Sequence, residues 1–264
     1  MPSGPQFSGC NVLNAQGRLY LDLLKRVLVN LIYQDPNVTP NFPLVFDPAL
    51  RLIGRDHPRD AHTMIGTTRL NHLHTIAEQV INEGVAGDFV ETGVWRGGAS
   101  IFLRGVLKAY GVTDRRVWVA DSFEGLPKPN SEKYPLDNGW DMSANEYLKV
   151  SLEQVQEHFK RYDLLDEQVV FLKGWFKDTL PSAPIEKIAI LRLDGDLYES
   201  TMDGLQSLYA KVTPGGFVVI DDYRIIPPCR AAVDDFRAAH GIEDPIHAID
   251  MDAVYWKKEV RGKA

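Results

Sequence analysis

The sequence of 264 residues is poor in features that mark secreted, membrane or nucleic-acid-binding proteins. It has only two cysteines, Cys10 and Cys229, which argues against a disulfide-stabilised secreted fold. No apolar run approaches the length of a membrane span, and no apolar stretch follows a basic start. Lysine and arginine form no long run and the formal net charge is -7, so we expect no affinity for nucleic acid or anionic membranes. We therefore expect a soluble, cytoplasmic protein that acts on small or neutral substrates.

The length and the 44% of hydrophobic residues fit one large domain with a single core. Residues 1–17 are irregular in pattern, and we expect them to be mobile unless a partner holds them. Residues 19–33 predict a helix that is apolar on most of its circumference. Such a helix fits either the protein's own core or an interface in a homo-oligomer. We divide the chain into an N-terminal helical extension, 1–87, and a core, 88–264.

From residue 88 the pattern alternates between short apolar strands and helices, which predicts an α/β fold with a mostly parallel sheet. A helix over 69–83 precedes this region, and further helices are predicted over 100–110 and 147–162. The predicted strands cover residues 88–93, 117–121, 169–174, 188–193 and 216–220, with a late edge strand at 253–256.

A polar insertion rich in Pro, Asn and Gly covers residues 127–145. It is longer than an ordinary connection between a strand and a helix, and long loops of this kind often cover active sites. We therefore expect it to form a lid.

Aspartates follow two of the predicted strands. Asp194 and Asp196 come after the strand 188–193, and Asp221 and Asp222 come after the strand 216–220. Any one of them would fit a structural role, because aspartate often caps the next helix. If the strands are neighbours, however, Asp194, Asp221 and Asp222 converge and require a cation, with Mg²⁺ favoured and Mn²⁺ or Ca²⁺ as alternatives.

A glycine-containing turn joins the first strand to its helix at residues 91–100. Gly93 lets the backbone approach a ligand, and Asp121, at the end of the second strand, is placed to accept hydrogen bonds from ribose hydroxyls. The spacing G-x-G-x-x-G of dinucleotide-binding proteins is absent. An acid at Glu91 would repel a pyrophosphate but attract a sulfonium or an amine, which favours S-adenosylmethionine over NAD. The alternative is a tight turn with an incidental carboxylate.

With these motifs the chain resembles the macrocin O-methyltransferase family, the antibiotic-sugar methyltransferases that include mycinamicin and noviose 4-O-methyltransferases. The similarity extends from about residue 20 to Trp256 and rests on the blocks 64–66, 91–98, 121–127, 173–176, 194–201, 214–216 and 221–223. It implies a Rossmann-like class I S-adenosylmethionine-dependent methyltransferase. It also implies metal-dependent transfer of a methyl group to a deoxysugar hydroxyl of a glycosylated natural product, usually by a homodimer. Residues 1–17 and 127–145 lie outside the similarity, and we expect substrate choice to reside there.

The resemblance also implies roles for individual residues. It assigns the metal to Asp194, Asp221 and Asp222 and the general base to Asp196. It assigns the methyl donor to Met64, Ile65, Glu91, Thr92, Gly93, Val94, Trp95, Asp121, Ser122, Phe123, Glu124, Gly125, Ser151, Gly174 and Trp175.

Three other functions were weighed against this one. A catechol or caffeoyl-coenzyme A O-methyltransferase has a related metal site, but it usually carries an Asp-Asn pair where this chain has Asp221 and Asp222. The glycine spacing argues against a nicotinamide-dependent oxidoreductase. A non-catalytic protein that binds S-adenosylmethionine would not need the complete carboxylate set. The histidines have no ligand spacing and favour none of these alternatives.

Overall fold

The computed structural model describes residues 13–40 and 43–259, and its centre is a mostly parallel sheet. The strands are β1 Asp88–Thr92, β2 Val117–Asp121, β3 Val169–Lys173, β4 Ile188–Leu193, β5 Val212–Ile220, β6 His247–Ala248 and β7 Val254–Lys257. They are arranged in the order β3-β2-β1-β4-β5-β7-β6. The strands β1 to β5 are parallel, whereas β7 is antiparallel to both β5 and β6. The predicted α/β class with a mostly parallel sheet is therefore confirmed.

Two of the predicted strands differ in extent or position. The fifth strand begins at Val212 rather than at residue 216. The strand predicted at the sheet edge is β7, but β6 pairs along its outer side through His247 and Ala248, so β7 is not the edge. A strand of two residues is too short to leave an alternating pattern in the sequence.

Helices cover both faces of the sheet. They are α1 Ala15–Leu28, α2 Pro48–Leu52, α3 Gly66–Asn82, α4 Gly98–Ala109, α5 Leu152–Arg161, α6 Phe176–Thr179, α7 Tyr198–Leu208 and α8 Pro227–Ala239. Successive strand residues point to opposite faces, so Phe89 lies in the core beneath α1, α3, α4 and α5, whereas Val90 lies in the core beneath α7 and α8. The helix predicted over 147–162 begins only at Leu152, because Ser151 and Gln154 form a capping box there.

The N-terminal extension shares a core with the rest of the chain. Helix α1 begins after Asn14, whose side chain accepts a hydrogen bond from the Gly17 N–H at 2.7 Å. It therefore starts and ends earlier than the predicted helix over 19–33, and the irregular segment 1–17 ends sooner than expected. Leu21 and Leu28 are buried in the core that contains α3 and α4. Residues 1–12 of that segment, with Cys10, lie outside the described residues.

The topology brings the ends of three strands, β1, β4 and β5, together. From β1 the strand order runs towards one edge of the sheet through β2 and β3, and from β4 it runs towards the opposite edge through β5. The strand order therefore reverses between the neighbouring strands β1 and β4. Ligands bind at such points in open α/β sheets. The register pairs Thr92 with Leu193 and Leu193 with Ile220, so the residues that follow these strands lie side by side. In the described part of the chain, no helix is both long and apolar enough to cross a membrane.

Candidate active site

A cavity of about 780 Å³ opens at the carboxyl ends of the parallel strands. The insertion 127–145 supplies part of its wall through Trp140 and Met142. The predicted site residues that line the cavity are Met64, Ile65, Glu91, Gly93, Val94, Trp95, Asp121, Ser122, Gly125, Trp175, Asp194, Asp196, Asp221 and Asp222.

The other predicted donor residues lie within the described part of the chain but do not line this cavity. Thr92 is buried in β1, and Phe123 is buried with a φ of 57°. Glu124 is exposed. Ser151 uses its side chain to cap α5, and Gly174 has a φ of 140° in the turn after β3. Contacts with the donor remain predictions for these residues.

Three carboxylates converge on the floor of the cavity, as the strand pattern predicts. Asp194, Asp221 and Asp222 each offer an oxygen atom, and these atoms all lie within 4.8 Å of one another. The Oδ2 atom of Asp222 is buried and has no hydrogen-bond partner within the described part of the chain. Burial, followed by the nearby carboxylates of Asp196 and Asp194, raises the pKa of Asp222 well above its ordinary value. A buried oxygen without a partner, surrounded by like charges, fits a hard divalent cation.

Two buried arginines offset part of this negative charge. Arg192 lies in β4 and forms ion pairs with Glu91 at 2.6 Å, with Asp194 at 2.9 Å and with Asp221 at 2.5 Å. Arg69 of α3 donates to the other oxygen of Asp221. Burial acts to raise the pKa of Asp221, but Arg192 and Arg69 outweigh it, so this pKa is lowered. Asp221 is therefore held as a carboxylate.

Neither arginine is among the site residues that the sequence predicts. The sequence does contain a sign of the role of Arg192, because Arg192 is the only charged residue in the strand Ile188–Leu193 and lies two residues before Asp194. That spacing places both side chains on one face of an extended segment. The sequence contains no such sign for Arg69, since its partners Asp250 and Asp252 are distant in sequence.

Glu91, which the sequence predicts to attract a sulfonium, is paired in the structure. Its carboxylate accepts hydrogen bonds from Arg192 at 2.6 Å and from the Ser100 hydroxyl. Burial raises its pKa to about 7, although Arg192 acts in the opposite direction. Its attraction for a sulfonium is therefore moderated by the arginine beside it.

Asp196 lies on the turn between β4 and α7. Its φ is 58°, in the left-handed region that few residues other than glycine adopt. The side chain lines the cavity, and no group among the described residues donates a hydrogen bond to it. Burial, with the nearby charges of Asp194 and Asp221, raises its pKa to about 8. In its ionised form, this carboxylate can take a proton from a hydroxyl group in the cavity.

Asp121 joins the two loops that border the other end of the cavity. Its carboxylate accepts hydrogen bonds from the backbone N–H groups of Val94 and Phe123, both at 2.7 Å. Beside it, Gly93 has a φ of 79°, and a Cβ atom there would lie 1.7 Å from the carbonyl oxygen of Asp194. Glycine is therefore required where the end of β1 meets the end of β4.

Comparisons with known proteins show which family the chain is similar to. The model of the macrocin-O-methyltransferase (TylF) family matches residues 17–258. A demethyldecarbamoylnovobiocin O-methyltransferase from Streptomyces niveus is 51% identical over 249 residues, which are 93% of this chain and 95% of that protein. An 8-demethyl-8-(2,3-dimethoxy-alpha-L-rhamnosyl)-tetracenomycin-C 4'-O-methyltransferase from Streptomyces olivaceus is 55% identical over 243 residues, which are 90% of this chain and 92% of that protein.

Solved structures give the same result for the fold. The O-methyltransferase NovP is 51% identical and superimposes with a TM-score of 0.89 over 92% of this chain and 100% of that chain. The calicheamicin methyltransferase CalS11 shares only the fold, at 20% identity and a TM-score of 0.59 over 97% of this chain and 99% of that chain. The chain therefore belongs to the macrocin O-methyltransferase family and is an O-methyltransferase with the fold of class I S-adenosylmethionine-dependent enzymes.

Proposed function

We propose that this enzyme transfers a methyl group from S-adenosylmethionine to a deoxysugar hydroxyl of a glycosylated natural product, with Mg²⁺ or Mn²⁺ at the acidic cluster. The observation that carries the proposal is the convergence of Asp194, Asp221 and Asp222 beside Asp196 in one cavity. The names of the Streptomyces relatives, which describe O-methylation of sugar-bearing antibiotics, support the choice of acceptor.

The residues of the cavity divide between the donor and the acceptor. Asp121 holds the loops that carry Val94 and Phe123, and Gly93 leaves room for a ligand at the end of β1. We assign the donor to this end of the cavity. The acceptor then lies towards Asp196, with Trp140 and Met142 of the insertion above it.

The acidic cluster would hold the cation through Asp194, Asp221 and Asp222. When bound, a divalent cation supplies positive charge that lowers the pKa of a sugar hydroxyl near it. Arg192 and Arg69 keep Asp221 ionised for this role. The carboxylate of Asp196 would accept the proton of the hydroxyl as its oxygen forms a bond to the methyl carbon. The bond between that carbon and the donor sulfur breaks at the same time, and S-adenosylhomocysteine is the leaving group. Alignment of the two substrates lowers the activation free energy further, by an amount that can reach about 7–11 kcal/mol in favourable systems.

The alternative functions account for less of the site. Asp222 supplies a third carboxylate where catechol-type enzymes usually have an asparagine, and burial, followed by its acidic neighbours, raises its pKa. A protein that only binds S-adenosylmethionine would gain nothing from this arrangement, because stranded like charges destabilise a fold. We therefore place these alternatives second.

We further propose that the enzyme is cytoplasmic and forms a homodimer or a higher homo-oligomer through its N-terminal helix. The outer face of α1 exposes Leu19 by 70% and Leu23 by 56%, and Tyr33 after it is 86% exposed. Exposed apolar side chains such as these can be covered in an interface between subunits. Analytical ultracentrifugation should show a dimer or a higher oligomer that Leu23→Glu dissociates, and a monomeric wild-type protein would contradict this assignment.

Turnover decides the choice of acceptor. The enzyme is incubated with Mg²⁺, S-adenosylmethionine that carries a deuterated methyl group, and matched panels of deoxysugar glycosides and catechols. Mass spectrometry should find the labelled methyl group on glycosides that have a free hydroxyl beside a second oxygen. Labelling of catechols alone would favour the catechol-type function, and donor binding without any product would favour a non-catalytic protein.

A further inference from the structure

The insertion 127–145 is anchored to the first turn of α7 through one buried aspartate. Among these residues, all of which the structure describes, Asp137 alone is buried, at 0% exposure. Its neighbour Leu136 is 53% exposed. A buried aspartate beside an exposed leucine reverses the usual preference, so the polar contacts of Asp137 must account for its burial.

Those contacts are with the first turn of α7. The N–H of Tyr198 donates to Oδ1 of Asp137 at 2.6 Å, and the N–H of Glu199 donates to Oδ2 at 3.2 Å. Leu197, the residue at the N-cap position, supplies no side-chain hydrogen bond. Asp137 therefore caps α7 from a distant part of the chain, where its negative charge also meets the positive end of the helix dipole.

Asp196 lies directly before the capped turn. Only Leu197 separates Asp196 from α7, and the Leu197 N–H donates to the carbonyl oxygen of Gly195 at 2.6 Å. Asp196 has a positive φ, which costs free energy unless the surrounding structure enforces it. Fixing the first turn of α7 therefore fixes the backbone that aims the Asp196 carboxylate.

The other side of Asp137 leads to the cavity wall. The Asp137 N–H donates to the Tyr134 carbonyl oxygen at 3.0 Å, and the Trp140 N–H donates to the Asp137 carbonyl oxygen at 3.1 Å. Trp140 lines the cavity. The rings of Tyr134 and Tyr198 add a second contact between the insertion and α7, with centroids 5.8 Å apart.

We propose that Asp137 is a positioning residue that couples the placement of the insertion over the cavity to the placement of the Asp196 carboxylate. This inference rests on the proposed function for its catalytic consequence only. The coupling itself is a property of the chain and can be measured without an acceptor.

Hydrogen–deuterium exchange of the full-length protein with bound S-adenosylhomocysteine tests the coupling. Asp137→Ala should accelerate amide exchange both in the segment 134–140 and in the segment 195–201. Asp141→Ala is the matched control, because Asp141 is exposed and, among the described residues, accepts hydrogen bonds only from Ser143. The control should leave the segment 195–201 unchanged. Faster exchange in the insertion alone, or in neither segment, would overturn the coupling.

Kinetics then test the catalytic consequence. Asp137→Ala should lower kcat by about 10-fold to 10²-fold, since a misplacement of about 1 Å can cost that much, while the KM for S-adenosylmethionine stays near the wild-type value. Asp137→Asn retains one acceptor oxygen for the Tyr198 N–H and should recover part of the loss. A wild-type kcat in Asp137→Ala would refute the positioning role. If the wild-type enzyme methylates no glycoside, the proposed function fails, and the exchange experiment still decides the coupling.

Discussion

Replacement of Arg192 by methionine should destabilise the protein strongly, because three carboxylates at the floor of the cavity then lose an ion-pair partner. The Arg192 side chain is 1% exposed and forms ion pairs with Glu91, Asp194 and Asp221 at 2.5–2.9 Å. Removing one partner of a buried ion pair costs about 3–5 kcal/mol. Proton uptake by Glu91, whose pKa is already about 7, limits the loss at neutral pH. We therefore expect a loss of about 3–5 kcal/mol in the free energy of unfolding.

Urea denaturation followed by circular dichroism measures this loss. Arg104→Met is the matched control: Arg104 is also buried, but its partner Asp166 is 28% exposed and lies in a single ion pair at 2.6 Å. The free energy of unfolding should decrease less in the control than in Arg192→Met. Adding Glu91→Gln to Arg192→Met should recover part of the stability, because one stranded anion is removed. A loss below about 1 kcal/mol for Arg192→Met, or one equal to that of the control, would refute the charge-balance argument.

Three further outcomes follow from the site and the core. Asp121→Ala should weaken the calorimetric affinity for S-adenosylhomocysteine by about 1.5–3 kcal/mol, and an unchanged affinity would remove Asp121 from the donor site. Asp196→Asn should lower kcat by about 10²–10⁴-fold with unchanged donor affinity, whereas a wild-type kcat would exclude it as the base. Burial lowers the pKa of His72 to about 4, and within the described part of the chain both of its ring nitrogens lack hydrogen-bond partners. The imidazole therefore binds a proton near pH 6.5 in the unfolded chain but stays neutral at that pH in the folded protein. The free energy of unfolding therefore decreases as the pH falls. His72→Phe should reduce this decrease between about pH 7 and pH 5 by about 1–2 kcal/mol in urea titrations, and an unchanged decrease would contradict the lowered pKa of His72.

The parallel sheet could be predicted from the sequence because its strands are short apolar runs separated by helical patterns. The same regularity predicted that Asp194, Asp221 and Asp222 converge, since residues that follow parallel strands meet at one edge. The boundary of α5 was missed by several residues, because the local capping box at Ser151 overrides the apolar periodicity.

The charge balance of the site could not be predicted in the same way. Arg69 reaches Asp221 across 152 sequence positions, and Asp137 reaches Tyr198 across 61. Neither contact leaves a periodic signal, because each depends on how distant elements pack. Asp137 also lies in a polar insertion, where an aspartate is expected to be exposed.

The dependence of methyl transfer on a divalent cation tests the central claim most directly. The enzyme is stripped with chelator, and transfer from S-adenosylmethionine to an accepted glycoside is measured as Mg²⁺ is added back. Activity should vanish in chelator and return with Mg²⁺ or Mn²⁺, and Asp194→Asn and Asp222→Asn should each lose most of this response. Full activity of the wild-type enzyme in excess chelator would contradict the account, because the three carboxylates would then have another purpose.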